Sequence, residues 1–166
     1  MKLSDGIEQA IHCMTMLASL EEGSTLSAAA LAEFHGVSPS YLLKHLQALS
    51  AAGLVATVPG PKGGYRLGRA ADEITLFDIV IAVEGPQPAF RCNEIRQRGP
   101  NPLPARYFDK PCGIAAAMLA AERAYRSELK KTSIADLIND LTATDDGGIA
   151  ARGCAFLDIN ERKAAR

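Results

Sequence analysis

Apolar residues recur at helical spacing from the start of the chain: Ile7, Ile11, Met14 and Ala18 share one face, with Glu8, His12, Thr15 and Ser19 as a polar stripe beside it. Ser4 is placed to cap this first helix, which the pattern carries to Leu20. After the turn Glu21-Glu22-Gly23-Ser24, Leu26 to Phe34 reads as an alanine-rich second helix that Gly36 ends. Three residues, His35-Gly36-Val37, then lead to Ser38 and Pro39, an N-cap followed by the residue type that suits a first helical position. Two helices joined this tightly predict a helix-turn-helix. In the third helix Leu42, Leu46 and Leu49 face inward at i, i+4 and i+7, leaving Ser40, Leu43, Lys44 and Gln47 on a shared outer face before Gly53 stops it.

Leu54 to Val58 and Tyr65 to Leu67 are short apolar runs, and Pro59-Gly60-Pro61-Lys62-Gly63-Gly64 between them has the glycines of a hairpin loop. Helical spacing returns over Ile74 to Val83 and closes the unit. Periodicity fails from Glu84 to Pro111, where five prolines lie between Pro86 and Pro104; an unstructured loop longer than about 15 residues is functional or mobile. From Gly113 to Lys131 a long helix carries Ile114, Met118, Ala121, Tyr125 and Leu129 along one side, too apolar to stand alone, so a partner subunit is its simplest cover. Thr132-Ser133 caps a last helix containing Ile134, Leu137, Ile138 and Leu141. The predicted fold class is mostly α with a small β wing. A winged helix-turn-helix domain spans 1–83, a long loop 84–112, dimerisation helices 113–141 and a flexible tail 142–166.

At 166 residues and 48% hydrophobic, the chain has the size of one modest core. It lacks any run of about 20 apolar residues and any basic-then-apolar leader, so a cytoplasmic protein that avoids membranes is expected. A net charge of −1 does not mark a nucleic-acid binder. The distribution does: residues 36–71 hold Lys44, Lys62, Arg66 and Arg69 with no Asp or Glu, whereas residues 1–35 carry five acids against Lys2 alone. Double-stranded DNA is the expected partner. Ser38, Ser40, Tyr41 and Lys44 supply the short and basic side chains a recognition helix offers from its N-terminal half. Leu43 suits a thymine methyl and Lys44 or Gln47 a purine edge, while Lys62 and Arg66 would anchor the wing on the backbone or minor groove. A winged helix used for protein contacts would explain the fold but not the missing acids.

Four cysteines, Cys13, Cys92, Cys112 and Cys154, lie far apart without a CxxC, which argues against a disulfide scaffold or a zinc ribbon. Cys13, between His12 and Met14, reads as a small buried hydrophobe. No nucleophile with a paired base and no HExxH spacing is present, so no enzyme is expected.

On SPSYL, AGLV, GGYRL and the following EITLFDIVIAVEG, the chain resembles over Met1 to Leu141 the Rrf-type winged-helix regulators that include IscR, NsrR and RsrR. PAFRCNEIRQRGP and KPCGIAAAM carry two loop cysteines where many relatives have three, a likeness to the redox-sensing RsrR type. The resemblance implies a homodimer on partly palindromic operators and, in many members, an iron-sulfur cluster; the 84–112 loop would be its binding segment. Cys92 and Cys112 are separated by 19 residues without another Cys or His, and a 2Fe-2S cluster normally takes four protein ligands. Glu8 and His12 stack about 6 Å apart at i, i+4, and similar regulators recruit an acidic residue from the first helix of the other subunit. The implied site is thus Cys92 and Cys112 with Glu8 and His12 of the partner subunit. Alternatives remain open. Glu8 and His12 can be a solvated stripe, Cys13 or Cys154 a replacement ligand, the cysteines a metal-free thiol switch, or the chain an iron-sulfur electron carrier on a borrowed fold. His35 and His45 are assigned to the DNA-reading region. Leu43 and Pro59 depart from relatives that carry polar or charged residues there, so operator preference does not transfer.

Overall fold

Helix α1 (Asp5–Ala18) is the central element of the computed structural model, which describes residues 3–61, 63–110 and 112–163. Its Ala10, Cys13, Met14 and Leu17 are buried with Leu31 of the second helix and Leu42, Leu46 and Leu49 of the third. Each fully buried aliphatic side chain contributes about 1.5–3 kcal/mol. Ser4 precedes α1 but does not cap it. Its hydroxyl and backbone N–H donate to Oε1 of Glu84 at 2.5 and 3.0 Å, tying the start of the chain to the end of α4.

Helix α2 (Ala28–His35) begins later than its alanine content predicted, because Leu26 is drawn into extended pairing with Tyr65 and Ser27 takes over as the cap, accepting from the Ala30 N–H at 3.1 Å. Gly36, at φ 66°, makes the turn into α3 (Pro39–Ala51). Strands β1 (Val55–Val58) and β2 (Gly64–Leu67) pair antiparallel with Val55 opposite Leu67 and Val58 opposite Gly64. At Gly63 a Cβ would lie 2.0 Å from the Val58 carbonyl oxygen, so the turn admits only glycine there.

Helix α4 (Leu76–Glu84) and α6 (Ile134–Thr144) both open with complete capping boxes, Thr75 with Asp78 and Ser133 with Asp136. The two caps face each other: the Leu76 N–H donates to the Thr132 carbonyl and the Ile134 N–H to that of Ile74, each at 2.9 Å. Between them in sequence, α5 (Gly113–Leu129) leans on α4, where Lys130 stands 4.6 Å from the Phe77 ring centroid. No helix among the described residues is long and apolar enough to cross a membrane.

Most of the segment expected to be a flexible tail, 142–166, is helical. Residues Gly148–Asn160 form α7, which buries Leu157 and places Phe156 on Phe34 at 4.9 Å between ring centroids. Asp145 holds its first turn, accepting from the N–H groups of Ile149 and Ala150 at 3.1 and 2.8 Å.

Candidate functional site

Helix α3 starts at a proline and keeps its apolar residues on one stripe, so its other face is left to solvent. Ser40, Leu43, Lys44 and Gln47 are exposed there, as the spacing predicted, and Ser38 and Tyr41 at the start of the helix are exposed as well. The Ser38 hydroxyl pairs with that of Ser40 at 3.1 Å and does not bond the backbone of the first turn. His45, within the same helix, is turned away from that face: it is 6% exposed, edge-on to Tyr41 at 4.6 Å, and backs onto Gly6 of α1. Burial, and secondarily Lys44, holds its pKa below the usual imidazole value, with Glu84 pulling the other way. His35 is likewise turned inward, 5.6 Å from the His12 ring, its pKa lowered by burial first and then by His12 and Arg152.

The wing is fastened to α3 by a residue that sequence reasoning counted only as positive charge. Arg69 donates to the carbonyls of Ala52 and Gly53 at 3.1 and 3.4 Å, so it binds the base of the hairpin to the end of the recognition helix. Arg66 is exposed on β2. Lys62 lies outside the described residues.

The two cysteines of the loop sit at different depths. Cys92 is exposed in an irregular stretch, and half-buried Cys112 is the residue before α5, facing the positive end of a 17-residue helix. Arg96 lies within electrostatic reach of both. Hydrogen bonding to Glu94 is the main cause that raises its pKa, and negative charge on Cys112 or Cys92 would add to it. The start of the loop is anchored on α5: Arg126 donates to the carbonyls of Pro86 and Gln87 at 3.0 and 3.2 Å, and Glu122 accepts from the Ala89 N–H at 3.1 Å. Beyond the loop, Ile114 and Met118 of α5 stand 69% and 46% exposed.

Glu8 and His12 are exposed one turn apart on α1, lining an open concavity of about 420 Å³ with Leu3, Ile7 and Ile11. Among the described residues of one chain, no three His, Cys, Asp or Glu side chains converge on a common point. The cysteine pair and the Glu8/His12 pair are therefore separate within a protomer. Cys13 is buried in the core, where burial pushes its thiol up to about 12, as the reading of a small buried hydrophobe expects, while Cys154 is exposed on α7.

A helix-turn-helix followed by a two-stranded wing defines a DNA-binding class of fold. The chain belongs to the Rrf2 family, described as iron-dependent transcriptional regulators, whose family model matches residues 3–140. It is 33% identical over 140 residues, 84% of this chain and 88% of the other, to YffB of Lactococcus lactis, named as an HTH-type transcriptional regulator. Among solved structures it is similar to CymR (YrzC), the global cysteine regulator of B. subtilis, with 26% identity and a TM-score of 0.65 over 87% of this chain and 99% of that one. T. potens IscR shares the fold at 23% identity and a TM-score of 0.66, covering 91% and 96%. These relatives are regulators of transcription, not enzymes.

Proposed function

We propose that this chain acts in the cytoplasm as a homodimeric regulator whose affinity for a partly palindromic operator follows the state of a 2Fe-2S cluster. The observation that carries it is the division of candidate ligands into two sets: exposed Cys92 and half-buried Cys112, both within electrostatic reach of Arg96, and exposed Glu8 with His12 on α1. Two thiolates, a carboxylate and an imidazole fit the donors such a cluster takes, provided each pair meets the complementary pair of a second protomer. The bound cluster supplies a one-electron redox change. Arg96 offsets the negative charge of the thiolates, and the Arg126 and Glu122 bonds hold the loop on α5, whose exposed Ile114 and Met118 pack against the partner. On DNA, Ser38, Ser40, Tyr41, Leu43, Lys44 and Gln47 enter the major groove while Lys62 and Arg66 contact backbone from the wing.

The test uses mixed dimers. One protomer carries Cys92→Ser and Cys112→Ser, the other Glu8→Ala and His12→Ala; neither homodimer can assemble a complete site, but the heterodimer retains one. Anaerobically purified heterodimer should show visible absorbance with iron and sulfide in equal amounts, at half the wild-type content. A colourless heterodimer, or either homodimer retaining the wild-type spectrum, defeats the shared site.

The exposure of Cys92 and the likeness to a global cysteine regulator favour a second reading, in which Cys92 and Cys112 lose two electrons and two protons to a disulfide or peroxide oxidant and join as a disulfide. It requires iron-free protein whose DNA affinity changes on diamide treatment and recovers with dithiothreitol.

A further inference from the structure

The family match stops at residue 140, yet the chain continues into a segment that returns to both DNA-reading elements. At the helix-turn-helix, Arg152 of α7 stands 4.7 Å from the Phe34 ring centroid and donates to the Phe34 carbonyl at 3.2 Å, with Phe156 against the same ring. At the wing, Arg162 exchanges backbone hydrogen bonds with Thr25 at 3.0 and 2.9 Å, and the adjoining Leu26 exchanges bonds of 3.0 and 2.8 Å with Tyr65 of β2. Nη1 of the half-buried Arg162 also donates to the carbonyl of Gly63, the residue that closes the wing turn.

We propose that residues 148–163 brace the DNA-reading surface, with Arg162 as the positioning residue that sets the wing against α3. The proposal rests on the reading that α3 and the wing bind DNA. A hairpin of two four-residue strands is marginal by itself, and its tip is built on Gly60 at φ 104° and Gly63. Arg69 fastens the base of this hairpin to α3; the turn is closed on itself by the Gly63 N–H donating to the Gly60 carbonyl at 2.9 Å, a bond that does not tie the tip to the rest of the fold. Arg162 supplies that second fastening from outside, through a charge-assisted bond to a backbone carbonyl that no substitution within the wing can remove. A wing held at both ends meets the phosphates already ordered, so its ordering cost falls on folding and not on association.

Arg162→Met keeps the stem and the backbone pairing with Thr25 but removes the donor; Arg162→Lys keeps a cationic donor. The probe is duplex DNA that the wild-type protein enriches from a random-sequence pool, with affinity measured over a series of salt concentrations and melting temperatures recorded alongside. Arg162→Met should weaken binding about tenfold and lower the salt slope by about one at an unchanged melting temperature, and Arg162→Lys should regain most of both. Wild-type affinity and slope in Arg162→Met overturn the brace, as does an equal loss in both variants that tracks a lower melting temperature. Failure of the wild-type chain to enrich any duplex overturns the DNA-binding reading itself and is told apart by that result.

Discussion

His45 shows how one contact decides a side chain's role. It lies in the DNA-reading helix beside Lys44, but its ring sits between Tyr41 and α1. At i+3 from Leu42 and one turn before Leu49, it falls on the inward stripe that the leucines define. Burial holds this imidazole neutral, against the pull of Glu84. The folded state therefore binds fewer protons at His45 than the unfolded chain does, and the associated stability is complete above about pH 6.5 and declines as pH falls through the lowered folded value. Urea midpoints should fall between pH 7.5 and 5.5, and His45→Gln should flatten that fall. An identical pH profile in the variant would show that the loss arises elsewhere.

At the scale of elements, the helices with a continuous apolar stripe were legible and the one without was not. In α7 the half-buried Phe156 and buried Leu157 are accompanied by Ile149 and Ile159 at 60% and 83% exposure, so no single face announces itself in the sequence. The long-range partners of the segment, Phe34 for α7 and Thr25 for Arg162 beyond it, carry no local signal at all. Capping residues were read unevenly for a related reason. Ser133 was identifiable from its spacing to Asp136, whereas Ser4 looks equally suitable and is diverted by Glu84, eighty residues away. The facing caps of α4 and α6 make a quantitative expectation. Thr75→Ala and Ser133→Ala should each cost about 1 kcal/mol in urea denaturation. Because their flanking backbones are hydrogen-bonded to each other, the double variant should deviate from the sum by about 0.5 kcal/mol or more. Strict additivity would mean that the two helix starts act independently.

For the whole molecule, the division of charge and the Pro-rich break between two helical regions point to a reading head, a loop and a candidate assembly helix. What one chain's sequence leaves open is which surfaces meet a second copy, since exposed Ile114 and Met118 look the same whether covered or bare. If α5 is the assembly surface, Met118→Glu buries an uncompensated carboxylate there. A penalty of about 3 kcal/mol or more corresponds to roughly a hundredfold weaker association, and sedimentation velocity at micromolar protein should then show monomer. A dimer of unchanged stability would move the interface off α5.

Gly6 links these scales. A Cβ there would sit 2.3 Å from Cε1 of His45, so the first turn of α1 lies against the α3 imidazole with no side chain of its own in between. Two rods that touch through a soft cushion can slide without disturbing each other; two that touch bare cannot. Glu8, two residues further along α1, sits on the helix that bears directly on this ring, so a displacement of α1 that began at its carboxylate would press on α3 with no intervening side chain to absorb it.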